Sequence, residues 1–171
     1  MDTLLAIASR RDERGTLPDA LPHDLVLRLL DAGRLSGSSK NGQPWIFAVP
    51  RSRARIEELA GAVHVPENVL RAGLVIAILV AGKGPVSFDA GRAAQSILLA
   101  AWAEGLASCP NGIADVDAAR GALDALEGQT PVIVLSFGFP AKPRNPSARS
   151  AAEWSERANR RSLEEVVRWL P

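Results

Sequence analysis

The segment Leu74-Val75-Ile76-Ala77-Ile78-Leu79-Val80 is apolar at every position, rich in β-branched side chains and bounded by Gly73 and Gly82. A strand with one face in water alternates apolar and polar residues. This run does not, so it predicts a strand buried on both faces. Such a strand needs a covering layer above it and another below. A chain of 171 residues with 47% apolar composition is long enough to supply both layers within one domain, and short for two.

Two further strands are predicted. Gln43-Pro44-Trp45-Ile46-Phe47-Ala48-Val49 carries its proline near the start, where a missing donor is tolerated, and Pro131 to Phe139 is a second β-rich run. Helices are predicted over about 3–10, capped by Asp2 or Thr3, and over 22–32, with Leu25, Val26, Leu29 and Leu30 on one face and Gly33 as the stop. Others follow over 53–62 behind Ser52, over 89–104, and from Asp115 or Asp117 to about 126. In the helix over 89–104, Ala93, Ala94, Ile97, Leu98, Ala100, Ala101 and Trp102 are apolar around most of the surface. It is the expected central buried helix, ended by Gly105. Helices in excess of strands predict an α+β domain, a three-layer α/β/α sandwich with helices flanking a small mixed sheet.

Lys and Arg number 20 against 19 Asp and Glu, which excludes a supercharged nucleic-acid binder and a disordered acidic chain. The single Cys109 excludes an intrachain disulfide, and His23 and His64 stand far from it and from each other, so no metal is expected. The apolar runs fall well below the roughly 20 residues a membrane-spanning helix needs. The first residues lack the basic start of a secretory signal. The expectation is a cytoplasmic protein with neither nucleic acid nor membrane as partner. Two scattered histidines, one cysteine and no tyrosine make side-chain nucleophiles scarce, so no catalytic side chain is assigned and a cofactor must do the difficult step.

Three segments could hold one. Arg10-Arg11-Asp12-Glu13-Arg14 puts three guanidinium groups just past a helix end, where they can converge on an anion or stand as a solvated patch paired by Asp12 and Glu13. Ser38-Ser39-Lys40-Asn41-Gly42-Gln43-Pro44-Trp45 offers hydroxyls, amides and backbone donors suited to a heteroaromatic ring edge, or is a surface turn anchored by Trp45. Gly105 to Gly112 follows the buried helix and ends in a turn whose glycine brings backbone amides close to a ligand, with Cys109 a packed thiol. The tail from Ala141 carries seven Lys or Arg against four Glu, an excess of three that fits a phosphate, a partner surface or a solvated face.

Taken in order, Arg10-Arg11-x-x-Arg14, Ser38 to Phe47, Asp89 to Ala101, Gly105 to Gly112, Gly138-Phe139-Pro140 and Arg160 to Val167 resemble the nitroreductase family of flavin enzymes over nearly the whole chain. The Ser-Ser-x-Asn-x-Gln-Pro-Trp segment is the most specific part. The resemblance implies a nitroreductase-like fold and an FMN site at a homodimer interface. It implies NADH or NADPH as reductant, and a small quinone-like or nitroaromatic electron acceptor in ping-pong alternation, with hydride carried by flavin N5. Arg10 and Arg14, with Arg11 beside them, match the positions that hold the ribityl phosphate, and Arg160 and Arg161 match the basic pair that closes on it. Gly37, Ser38, Ser39 and Asn41 match the loop that reaches FMN from the other protomer, and Gln43 lies just behind it. Pro110, Asn111 and Gly112 match the turn whose backbone amide points at N5, and Asn68 matches an asparagine at the pyrimidine edge. One domain over 1–171 is implied, with the tail from about 141 packing on the partner protomer.

One residue departs from the pattern. Asp12 stands where the family commonly has a small hydroxyl residue, and a carboxylate about 4 Å from phosphate is repelled by several kcal/mol at intermediate dielectric. Lys40 in the ring-contact loop partly compensates. Two other readings therefore stand beside the oxidoreductase: a non-catalytic member that carries or senses a ligand, and a flavin enzyme specialised for one metabolite. With tyrosine absent, Trp45, Phe88, Trp102 and Trp154 remain to stack on a substrate, the first three being expected in the core.

Overall fold

The computed structural model describes residues 2–142 and 144–170; Met1, Pro143 and Pro171 lie outside the described residues. In chain order the elements are α1 (Thr3–Ser9), α2 (His23–Arg34), β1 (Trp45–Ala48), α3 (Arg53–Gly61), α4 (Pro66–Leu70), β2 (Leu74–Val80), α5 (Val86–Ala103), β3 (Ala107–Asn111), α6 (Val116–Ala122), β4 (Thr130–Gly138), α7 (Ala151–Arg157) and α8 (Leu163–Val166). The chain divides into two compact units: Arg11–Arg144, and Met1–Arg10 with Asn145–Pro171.

In the larger unit the four strands lie in the order β1-β2-β4-β3. Every residue of β2 is buried. Its alternate side chains serve two cores: Leu74, Ile76, Ile78 and Val80 pack with α2 and α5, and Val75 and Ala77 pack with α3, α4 and α6. These are the two covering layers that the unbroken apolar run requires. Each fully buried Leu or Ile contributes about 1.5–3 kcal/mol. All three strand pairs are antiparallel. The mixed sheet expected from sequence is thus antiparallel in its ladders, and the parallel element is a one-residue bridge from Asp12 to Ser108. The register of β2 on β4 slips between Ile78 and Leu79, where Pro131 stands opposite Leu79. A residue without an N–H is tolerated at such a bulge.

Gly105 ends α5 as expected, with φ +79°; Leu106 N–H bonds to Ala101 O and Gly105 N–H to Trp102 O, the paired closure of a Schellman motif. Gly33 does not end α2. The helix runs on to Arg34, and Gly33 is buried against β1 and α5, where an added Cβ would lie 2.7 Å from Phe47 Cζ and 2.8 Å from Ile97 Cδ1. Trp45 and Trp102 are core residues, whereas Phe88 is 67% exposed. Among the described residues no helix is long and apolar enough to cross a membrane.

The smaller unit packs α1 against α7. Asp2 caps α1 by accepting the Leu5 N–H, and Ser150 caps α7 in a reciprocal box with Glu153. The Ser150 N–H and then its hydroxyl, both 2.8 Å from Glu153 Oε2, hold the Glu153 carboxyl below the usual glutamate range. A lowered folded pKa adds stability above the unfolded value, and this is lost as pH falls through the folded one. Acidification through the carboxylate range is therefore expected to fray the start of α7. The reading is faster exchange of the Glu153 amide, corrected for its intrinsic rate, with the effect absent in Glu153→Gln. A wild-type amide equally protected at neutral pH and at roughly pH 3 would contradict this.

Candidate functional site

β3 is an edge strand, and the chain covers its open side with the Arg11–Arg14 segment. Asp12 pairs with Ser108, and the Glu13 N–H donates to Ser108 O at 2.9 Å. Covering an edge satisfies backbone groups that would otherwise recruit another strand. The segment alternates as extended chain should: Arg11 and Glu13 are half-buried, and Asp12 and Arg14 are exposed. Glu13 is held by Arg144 through two bonds of 2.8 and 3.1 Å, which raise the Arg144 pKa. Glu13, one of the two carboxylates expected to pair within the segment, is bonded to Arg144 instead.

Four residues beyond Ser108, about 13 Å along the strand at ~3.3 Å per residue, stands Gly112. Of the turn expected at Pro110, Asn111 and Gly112, the first two residues lie within a strand, Ala107–Asn111, and only Gly112 stands past its end. Asn111 is buried. Its Nδ2 donates to Cys109 O, Val134 O and Ser136 Oγ at 3.0–3.1 Å, and its Oδ1 accepts from Asn68 Nδ2 at 2.9 Å. That side chain ties β3 to β4 and leaves only its backbone for a ligand. Asn68, matched to a pyrimidine contact, is a partner in the same network. Gly112 O accepts the His64 N–H at 3.1 Å, and a Cβ on Gly112 would meet His64 Cδ2 at 3.2 Å. A histidine that sequence left unassigned therefore stands beside the candidate turn.

Gly37, Ser38, Ser39, Asn41 and Gln43 lie between α2 and β1. Because β1 and β3 are opposite edges of the sheet, three strand spacings separate them, about 14 Å. Within the larger unit the structure brings Arg11 and Arg14 to the strand that leads to Gly112, and puts the Ser38 loop at the far edge. That loop holds Lys40, Asn41 and Gln43 at φ 51°, 56° and 45°. Left-handed backbone at a non-glycine residue costs on the order of 1–3 kcal/mol, least for Asn. Internal bonds offset part of this: Gln43 N–H to Ser38 Oγ at 2.9 Å, Asn41 N–H to Ser38 O and Gly42 N–H to Ser39 O.

The external ties come from α5 and were not assigned from sequence. The Ser39 N–H donates to Asp89 Oδ2 at 3.0 Å, Arg92 pairs with Asp89 at 3.6 Å, and Ser36 Oγ bonds Ser96 Oγ at 2.8 Å. Asp89 was legible only as a helix start; α5 begins three residues earlier, at Val86, so the carboxylate sits inside its first turn and is buried.

Arg10, Arg160 and Arg161 belong to the smaller unit. Arg10 follows α1 and is half-buried, and Arg160 and Arg161 follow α7 and are exposed.

A model of the nitroreductase family matches residues 7–79 and 86–139. Those stretches contain every candidate site residue except Arg160 and Arg161. A protein of Methanothermobacter thermautotrophicus, provisionally named an NADH dehydrogenase/NAD(P)H nitroreductase, is 31% identical over 160 residues, covering 87% of this chain and 82% of its own. A provisional nitroreductase of Desulfovibrio desulfuricans, solved in complex with FMN, superposes with TM-score 0.79 at 27% identity, covering 100% of this chain and 98% of that one. A nitroreductase family protein of Clostridium difficile shares the fold with TM-score 0.83 at 20% identity, over 100% and 99% of the two chains.

Proposed function

This chain belongs to the nitroreductase family, and from that premise we propose that it is an FMN-dependent oxidoreductase working as a cytoplasmic homodimer. The observation that carries the reading is that the family match runs through the Arg11–Arg14 segment, the Ser38 loop and the Pro110–Gly112 strand end together. When bound, FMN supplies two-electron chemistry, accepting hydride at N5 from NADH or NADPH and passing it to a small quinone-like or nitroaromatic acceptor, the two substrates alternating in one pocket.

The donor set fits such a cofactor. Arg11 and Arg14 in the larger unit offer planar forks to a phosphate dianion, as do Arg10, Arg160 and Arg161 in the smaller one. The backbone amide of Gly112 stands at the strand end, where the resemblance puts the donor to the ring, and the space a side chain would take there is filled by His64. Gly37, Ser38, Ser39, Asn41 and Gln43 offer polar groups to the ring edge, where they stabilise negative charge.

The homodimer has its own support. The Ser38 loop and Gly112 stand at opposite sheet edges of one chain, about 14 Å apart, which favours a site that takes one of them from a second copy. The outer edge of β1 borders an apolar groove of about 560 Å³, lined by Leu27, Leu30, Trp45 and Phe47 with Asp31 and Arg34 at its rim. The tail exposes Leu163, Val166, Trp169 and Leu170, with Trp169 91% exposed. We assign that groove to the tail of the second copy, in keeping with a single chain-long domain whose residues from about 141 pack on the partner protomer.

The test is a spectrum. Protein soaked with excess FMN and desalted is expected to keep flavin absorbance, to lose it anaerobically with NADH or NADPH, and to sediment as a dimer. No retained flavin sinks the reading. Flavin that binds but is bleached by neither nucleotide favours the carrier role that Asp12 suggests.

A further inference from the structure

On α5, Asp89, Arg92 and Ser96 are spaced three and four residues apart and so form one polar stripe. Each member reaches the segment Ser36 to Ser39. The Asp89 carboxylate takes the Ser39 N–H, the Arg92 guanidinium lies over Gly37, and Ser96 bonds Ser36. A Cβ at position 37 would stand 2.5 Å from Arg92 Nη2, so a side chain there would displace the guanidinium from the loop. Asp89 is 3% exposed, and a buried carboxylate is stable only when its oxygens are paired. Its partners in reach are the loop amide and Arg92. Carboxylate and loop thus depend on each other: the loop satisfies the buried charge, and the charge holds the loop against its left-handed residues.

We propose that the Asp89, Arg92 and Ser96 stripe of α5 is the positioning device that keeps the Gly37–Gln43 loop preformed for the flavin, with Asp89 as its main tie. The inference rests on the reading of that loop as a flavin contact. A loop already in its bound shape loses less conformational freedom on binding, so the stripe raises affinity without touching the cofactor. Because the loop serves the other copy's site, α5 of one protomer sets flavin affinity in its partner.

Hydrogen exchange in the flavin-free protein reads the loop directly, and FMN fluorescence titration reads affinity. In Asp89→Ala the Ser39 amide is expected to exchange faster, and FMN to bind more weakly, each on the order of tenfold or more, the scale of a hydrogen bond to a charged group. Asp89→Asn keeps an acceptor and should restore most of both. Thermal melting checks that the rest of the fold stands. Should Asp89→Ala not fold, Arg92→Ala, altered at a side chain 45% exposed, is expected to show the same two changes at severalfold size. Unchanged exchange in a protein that binds FMN normally overturns the proposal, as does faster exchange with unchanged affinity. A wild-type chain that binds no FMN overturns the flavin reading itself, and this role with it.

Discussion

Valine at position 33 is expected to lower the unfolding midpoint by roughly 10 °C, and alanine by a few degrees at most. Gly33 lies inside α2 with ordinary helical backbone, so alanine gains about 1 kcal/mol in helix propensity. Against this, its methyl would sit inside contact distance of Phe47 Cζ and Ile97 Cδ1. Overpacking of that kind costs about 1–3 kcal/mol, and at these distances Phe47 or the buried Ile97 must shift. For alanine the propensity gain offsets part of that cost. Valine adds two further carbons between α2, β1 and α5 and has little rotamer freedom in a helix, so the cost dominates at about 3 kcal/mol or more. At roughly 2–4 °C per kcal/mol for a chain of this size, the expected shift follows. Calorimetry of the two variants measures it, and a valine variant that melts with the wild type would show that the helices do not meet closely there. The same displacement should weaken FMN binding, because α2 runs directly into the Ser38 loop.

Gly33 also shows where sequence stops being sufficient. A glycine at the end of a periodic apolar run signals a helix stop, and Gly105 obeys that rule with its positive φ. At Gly33 the requirement is tertiary: Phe47 of the following strand and Ile97 of α5 need the space, and no local pattern announces them. The unbroken Leu74–Val80 run was legible because its message is about its whole surroundings, and both layers it calls for are present. β3 was hidden for the opposite reason. Ser108, Cys109, Pro110 and Asn111 are poor strand formers singly, and what makes them a strand is pairing with β4 and the cover of Asp12. The site was legible as a set of polar motifs, yet the direction of each side chain was not. Asn111 points into the sheet network, Asp89 ties down a loop, and His64 stands against Gly112, each settled by a partner between 43 and 50 residues away or by the strand register.

Arg14→Ala is expected to weaken FMN binding by roughly tenfold to a hundredfold, the scale of a charged hydrogen bond lost to a phosphate. Arg14→Lys should recover part of the loss, since the charge returns without the planar fork. The wild-type affinity should fall with added salt more steeply than that of the alanine variant. Fluorescence titration at two ionic strengths measures both, and an unchanged affinity removes Arg14 from the phosphate grip. Asp12 makes the experiment sharper. It shares the exposed side of the segment with Arg14, next to the same proposed anion. Asp12→Ser removes a like charge and is expected to tighten FMN, by roughly three- to tenfold at a water-facing position where repulsion is screened. If Asp12 acts on the phosphate itself, that gain persists when Arg14 is already alanine, and the two effects add. If Asp12 acts by orienting Arg14, then Asp12→Ser weakens binding alone and does nothing in the double variant, which is the coupling a double-mutant cycle isolates. Additivity is the expected result, because repulsion by a carboxylate needs no intermediary, whereas an orienting role requires Arg14 to be present.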